Sequence, residues 1–416
     1  MRQALATPQA SPGLPLAADP DFLANRVDRY FREEERRSVV CGRSMTADAI
    51  QLRSNDYLSL ANHPNVMAAQ AEALVDHGNG ILMSGVFLDD HDSQRSLEHK
   101  FASLIDSEDC AISQSGYNAN VGLIQAIADK DVPVYIDMRA HASLWEGANS
   151  AGAPAHAFRH NDVEHLEKQI LTHGAGVVVV DSVYSTVGTV CPLIEVVDLA
   201  NRLGCVLIVD ESHSLGTHGT NGEGLVAALG LQDRVHFRTA SLAKAFAGRG
   251  GLVAGSARNI EYFRYKALPA IFSSVLLPHE IAGFEATLTV IRQEAWRRTK
   301  LHRNAEYLRE GLTMLGYHLG DATSQIIPLE AGPEARTVVL RDALEARGVF
   351  GAVFCAPATP KNRSMVRLTV NCALSRDDLD HVLSVCEDIR DLVEADKWPN
   401  ARKSARTSRS RELEAA

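Results

Sequence analysis

The chain has 416 residues, 45% of them apolar and 23% charged, with a formal net charge of −10. This is a globular balance with core material for a large domain and a smaller one, and its acidity argues against nucleic acid as a partner. The seven cysteines (Cys41, Cys110, Cys191, Cys205, Cys355, Cys372 and Cys386) are scattered, odd in number and contain no C-x-x-C pair. That pattern predicts reduced thiols and a cytoplasmic location, and it argues against a disulfide frame or a zinc site.

Pro8, Pro12, Pro15 and Pro20 interrupt the first twenty residues, where no apolar core supports a secretory signal. No run approaches the roughly 18 apolar residues of a transmembrane helix, so membrane insertion is not expected. Residues 1–50 read as an N-terminal arm containing a charged, periodic helix over about 21–37. Ser54-Asn55-Asp56-Tyr57-Leu58 leads into a large domain assigned to residues 51–291. Leu97, Phe101, Leu104 and Ile105 recur at helical spacing.

Short apolar strands are expected at 132–136, 177–180, 206–209 and 251–254. The run Val177-Val178-Val179-Val180 suits a strand buried on both faces of a parallel sheet. Asn161-Asp162-Val163-Glu164 reads as a capping box opening the helix of Leu166 and Ile170. Strands alternating with helices indicate an α/β fold with right-handed crossovers.

A second unit, 292–396, begins with a charged helix over 295–315 and continues into Gln325-Ile326-Ile327-Pro328-Leu329. A helix near 342–347 and a strand over 365–370 follow. Ser375-Arg376-Asp377-Asp378 then forms a capping box for a last helix whose buried stripe is Leu379, Val382, Leu383, Cys386 and Ile389. Residues 397–416, rich in Arg and Ser, read as a disordered basic tail.

Open parallel sheets bind ligands beyond the carboxyl ends of their strands, and the polar clusters fall there. Asp210 closes the run Val206-Leu207-Ile208-Val209, His213 follows three residues on, and Lys244 lies one supersecondary unit downstream in Ser241-Leu242-Ala243-Lys244. A lysine and a strand-end carboxylate suit pyridoxal 5'-phosphate (PLP): the amine forms the Schiff base and the carboxylate keeps the ring nitrogen protonated. The small-residue setting of Lys244 would lower its pKa on burial, as an imine-forming amine requires.

Ser115-Gly116-Tyr117, ahead of an apolar helical run, offers backbone N–H groups to a phosphate. His141 reads either as a ring that stacks on the cofactor or as an ordinary cap, and Ser185 either as a cofactor support or as turn chemistry. Arg367 reads either as a bidentate clamp on a substrate carboxylate or as an edge-strand charge. Ser212 beside His213 lacks nucleophile–base geometry and the G-x-S-x-G elbow is absent, which disfavours a hydrolase. His156, His160 and His165 are too loosely spaced for a metal site, so no metal is expected.

Ser-Asn-Asp-Tyr-Leu (54–58), Ser-Gly-Tyr-Asn-Ala-Asn (115–120), His-Ala-Ser-Leu-Trp-Glu-Gly (141–147), Asp-Glu-Ser-His-Ser-Leu-Gly (210–216), Ser-Leu-Ala-Lys (241–244) and Arg-Leu-Thr (367–369) occur in that order. Together they resemble the α-oxoamine synthases, PLP enzymes that join an amino acid to an acyl-CoA. Within that group, Val134 to Asp137, Val180 to Thr186, Asp210 to Gly219, Pro269 to Ser274 and Gly348 to Cys355 are similar to the α-hydroxyketone quorum-sensing autoinducer synthases of Vibrio and Legionella. Met83-Ser84-Gly85-Val86-Phe87-Leu88 replaces a Gly-rich loop of the biotin-pathway relatives and implies a more apolar amino-acid or acyl pocket.

The resemblance implies a fold-type I PLP-transferase: a large domain with a mostly parallel sheet and a smaller C-terminal α+β domain. It gives Lys244 the Schiff base and the acid/base work at Cα, Asp210 the ring nitrogen, His213 the ring hydroxyl and His141 the stacking face. Ser115, Gly116, Tyr117 and Ser241 would hold the phosphate, with Ser273 or Ser274 of the partner subunit in a homodimer. Asn55, Ser185 and Arg367 would orient substrate or cofactor. The implied reaction condenses a fatty acyl-CoA with 2-aminobutyrate or S-adenosylmethionine, with decarboxylation, to an aminoketone. Synthases resembling 8-amino-7-oxononanoate synthase or serine palmitoyltransferase, and a non-catalytic scaffold, are the alternatives.

Overall fold

The computed structural model describes residues 18–34 and 37–399. The lead-in before residue 18 and the basic tail from residue 400 onward lie outside the described residues. Among the described residues eleven strands occur in chain order: β1 (Ile50–Leu52), β2 (Asp109–Ser113), β3 (Val134–Asp137), β4 (Ala155–Phe158), β5 (Val177–Asp181), β6 (Val206–Asp210), β7 (Phe237–Ser241), β8 (Gly251–Gly255), β9 (Ile326–Gly332), β10 (Val349–Phe354) and β11 (Ser364–Thr369).

Seven of them form one sheet in the order β2-β8-β7-β6-β5-β3-β4. Strands β4, β3, β5, β6 and β7 pair in parallel, and β8 pairs antiparallel to both β7 and β2. The reason is local. Strands β7 and β8 are joined by the short stretch 242–250 with no crossover helix, and such a connection returns the chain antiparallel. Lys244 sits in that connection, so the turn that reverses β8 is also what carries the lysine to the strand ends.

The valine strand β5 is buried along its whole length, as expected for the middle of a covered parallel sheet. Apolar helices pack on both faces. Leu123, Ile124, Leu144 and Ile260 belong to one buried cluster, and Leu166, Ile170, Val196 and Val197 to another. The helix predicted around Leu97 and Phe101 spans Ser93–Ile105. Its counterpart before β5 begins one residue later than expected. Asn161 takes a left-handed φ of 54°, and Asp162 is the cap, its carboxylate accepting from the His165 N–H at 2.8 Å. The Ser375 capping box forms as expected, with Asp378 as its partner.

The second sheet has the order β1-β10-β11-β9. Strand β1 pairs in parallel with β10, Ile50 opposite Val349, so the predicted boundary at residue 50 runs through a strand of the smaller sheet. Tyr57, Leu58 and Leu60 then join a core cluster that includes Ile327, Leu329, Leu340 and Leu368 of the C-terminal half. The helix expected over about 21–37 is shorter, ending as an α-helix at Arg29. Among the described residues, no helix is long and apolar enough to cross a membrane.

Candidate active site

The carboxyl ends of β5, β6 and β7 open into a cavity of about 330 Å³. Asn55, Ser115, Gly116, Tyr117, His141, Ser185, Asp210, His213, Ser241, Lys244 and Arg367 all line it. Every site residue predicted from the sequence is there except Ser273 and Ser274. Those two lie outside this chain's own cavity: the Ser273 hydroxyl donates to the Pro269 carbonyl, and the Ser274 carbonyl accepts from Gln114 Nε2 at 2.5 Å.

Asp210 is held from two sides. Asn120 Nδ2 donates to its Oδ2 at 2.7 Å and the Ser212 N–H to its Oδ1 at 2.8 Å. Asn120 is itself locked, its Oδ1 accepting from the Thr239 hydroxyl at 2.6 Å. Both contacts are neutral, so among the described residues the carboxylate has no bonded cation. Asp181, opposite Asp210 in the β5–β6 register, also lines the cavity and accepts from the His141 N–H at 3.2 Å. Burial and then the Asp210 charge hold the Asp181 carboxyl well above the usual range.

The Lys244 side-chain amine makes no hydrogen bond or ion pair among the described residues. Burial, and then the Arg367 charge, lower its amine below the ordinary lysine value, against the opposing pull of Asp210. Arg367 donates through Nη1 to the Ser185 carbonyl at 2.7 Å and through Nη2 to Asn55 Oδ1 at 3.0 Å. Its guanidinium lies 4.5 Å from the Phe354 ring centroid, and its buried Nε has no partner. Such an arginine retains capacity for an anion in the cavity.

Ser115 caps the helix Gly116–Ile127, its hydroxyl accepting from the Asn118 N–H at 3.1 Å. A Cβ on Gly116 would lie 2.6 Å from Ser241 Cβ, so only glycine lets the helix start approach β7 this closely. The Ser241 N–H is fixed by the Ser212 hydroxyl at 2.7 Å. His141 Nδ1 contacts the Ser143 hydroxyl at 2.8 Å, and its ring stands edge-on to Tyr117. Burial lowers its pKa, and that of His213 is lowered further, by burial and then by Lys244, Arg367 and His141.

Asn120, Ser212, Phe354 and Asp181 also line the cavity, and the sequence reading did not assign them. Asn120 had a usable signal: it follows Gly116 by four residues and so shares its helix face. Phe354 had none, because its place depends on how the smaller sheet docks.

An unpartnered amine, a carboxylate with no bonded cation, two imidazoles of lowered pKa and a free arginine edge line one cavity, a set of groups able to hold a carbonyl compound and an anion. Comparison with known proteins gives the class. Residues 47–385 match the family Aminotransferase class I and II. The chain belongs to that family and, within it, to the α-oxoamine synthases.

It is 46% identical to the CAI-1 autoinducer synthase of Vibrio campbellii over 374 residues, 89% of this chain and 95% of that protein. It is 33% identical to the 8-amino-7-oxononanoate synthase of Bacillus pumilus, over 82% of this chain and 87% of the relative. A solved serine palmitoyltransferase from S. paucimobilis with a bound PLP–myriocin aldimine matches with a TM-score of 0.81 at 25% identity, covering 90% of this chain and 98% of that one.

Proposed function

We propose that the chain is a PLP-dependent acyltransferase that makes the aminoketone precursor of an α-hydroxyketone quorum-sensing autoinducer. It would condense 2-aminobutyrate or S-adenosylmethionine with a medium-to-long fatty acyl-CoA, releasing CoA and carbon dioxide. The observation that carries this reading is the gathering of Lys244, Asp210, His213, His141 and Arg367 around one cavity. The 46% identity to an autoinducer synthase supports the choice of product.

The residues present fit PLP. Among the described residues the Lys244 amine has no partner and its pKa is lowered, the Gly116 helix start forms a cradle that a Cβ would fill, and Asp210 has no bonded cation. When bound, PLP supplies a ring that stabilises negative charge at the substrate Cα. Lys244 would hold the cofactor through its carbonyl carbon and, once displaced there by the substrate's amino group, would be free as a neutral amine to take the Cα proton. Asp210, aimed by Asn120 and Ser212, would keep the ring nitrogen protonated.

Ser115, Gly116, Tyr117 and Ser241 would hold the phosphate, together with Ser273 or Ser274 of the partner subunit in a homodimer. His141 would cover one ring face and His213 would reach the ring hydroxyl. Ser185 and Asn55 already occupy two arms of the Arg367 fork, which leaves the Nε edge for the substrate carboxylate.

The test is to incubate purified protein with each amino acid and a series of acyl-CoAs, following thiol release and weighing the product. Aminoketones from 2-aminobutyrate or S-adenosylmethionine are expected. Turnover confined to other pairs would favour a synthase like those for 8-amino-7-oxononanoate or long-chain bases. No thiol release with any pair would overturn the enzyme reading.

A further inference from the structure

Tyr57 is fully buried, and its hydroxyl lies 2.5 Å from His213 Nδ1, although the two are 156 residues apart in sequence. The backbone of each partner is fixed. The Tyr57 carbonyl accepts from the Cys372 N–H at 2.9 Å. The His213 carbonyl accepts from Gln325 Nε2 at 2.8 Å and from the Thr217 hydroxyl at 3.1 Å. This contact lies behind the imidazole. The other ring nitrogen, Nε2, has no partner among the described residues, and His213 lines the cavity.

We infer that Tyr57 is a positioning residue for His213: its phenol donates to Nδ1, holds the imidazole as the Nε2–H tautomer and so aims a hydrogen-bond donor into the cavity. That this donor meets the ring oxygen of PLP rests on the function proposed above; the tautomer itself does not.

The direction of the proton follows from counting. A phenol has one proton to give, and burial keeps it on Tyr57 by raising the pKa. Gln325 gives its amide N–H to the His213 carbonyl, and its influence on the phenol is to lower the pKa, as a nearby donor does. Nδ1 is then the acceptor left for the phenolic proton. Burial and the positive charges of Lys244 and Arg367, with His141 beside them, disfavour a charged imidazole. A neutral ring that accepts at Nδ1 carries its proton at Nε2.

The same short segment serves both sides of the cavity. Asn55, two residues before Tyr57, accepts from Arg367 Nη2 at 3.0 Å. One turn of chain thus orients a donor toward the ring and steadies the arginine edge. Without the phenol the imidazole can exchange tautomers, and an Nε2 lone pair would face an oxygen it should be bonding. A ring oxygen deprived of its donor becomes more basic, so the proton it shares with the Lys244 conjugate is retained to higher pH.

The experiment uses the full-length holoenzyme as wild type, Tyr57→Phe, His213→Asn and the double variant. The visible band of the cofactor is titrated with pH, and ¹⁵N-histidine NMR reads the His213 tautomer, its signal assigned by its loss in His213→Asn. Expected are an Nε2–H signal in wild type, mixed tautomers in Tyr57→Phe, and a band midpoint raised by roughly one pH unit. No further shift is expected in the double variant relative to His213→Asn.

An Nδ1–H signal in the wild type overturns the inference without any variant having to fold. So does an unchanged midpoint and tautomer in Tyr57→Phe, or an equal Tyr57→Phe shift in the His213→Asn background. A wild-type protein with no visible band after addition of PLP would sink the PLP reading alone, and the NMR tautomer would still decide the part played by Tyr57.

Discussion

Asp210 and Glu211 are adjacent, both buried, and live in opposite surroundings. Glu211 is saturated. Its Oε2 pairs with Arg238 at 2.5 Å, and its Oε1 accepts from the Ser214 hydroxyl at 3.0 Å and the Val226 N–H at 2.9 Å. Arg238 is saturated in turn, donating also to the Ile105 and Glu223 carbonyls. Among the described residues Asp210 has two neutral donors and no bonded cation, and it faces a cavity shared with a lysine whose amine is unpaired. Side by side on one chain, a closed polar network holds the loop down while an open one leaves valences for a ligand.

The contrast is tested first at its open end. Lys244→Ala is expected to abolish the visible band and lower turnover by on the order of a thousandfold or more, read by absorbance and CoA release. An unchanged spectrum would falsify the assignment of the amine. Next comes the paired test. Asp210→Asn should keep its shape and its cofactor yet slow Cα-proton exchange by roughly a hundredfold or more, with little change in unfolding midpoint.

Glu211→Gln should do the reverse, losing roughly 3 kcal/mol in urea unfolding because Arg238 is left buried without its counter-charge. Turnover per folded molecule should hold. If the two variants exchanged phenotypes, the distinction between open and closed networks would be wrong.

Arg367→Lys should raise the KM for the amino acid by about tenfold and leave that for the acyl-CoA alone, since a lysine cannot reproduce the planar fork. Comparable changes in both constants would argue for a general structural role.

The smallest effect is in acid. In the fold, desolvation and then the neighbouring His302 hold the half-buried His218 imidazole down to about 3, against an ordinary 6.5. The unfolded chain therefore binds the extra proton first. Stability should be complete above pH 6.5 and fall as the pH drops from there toward about 3. His218→Gln should flatten that slope in urea titrations, and an unaltered slope would assign the acid sensitivity to other groups.

Lys244, Asp210, His213 and the Gly116 cradle could be read from the sequence because each sits in a local pattern: an apolar strand, its polar end and a small-residue turn. Residue type carries the chemistry there, and strand ends are marked by short-range signals. The valine strand β5 and the Ser375 cap were legible for the same reason.

Strand β7 was not. Phe237-Arg238-Thr239-Ala240-Ser241 lacks an apolar run because its arginine is neutralised by Glu211, 27 residues away. The antiparallel course of β8, the placement of β1 in the smaller sheet, the Asn120 hold on Asp210 and the phenol behind His213 all depend on contacts between distant segments. By itself the sequence determined which groups could do chemistry and roughly where strands would end. Only the tertiary structure decided which of those groups face one another, because burial and hydrogen-bond partners are set by long-range packing that no local pattern encodes.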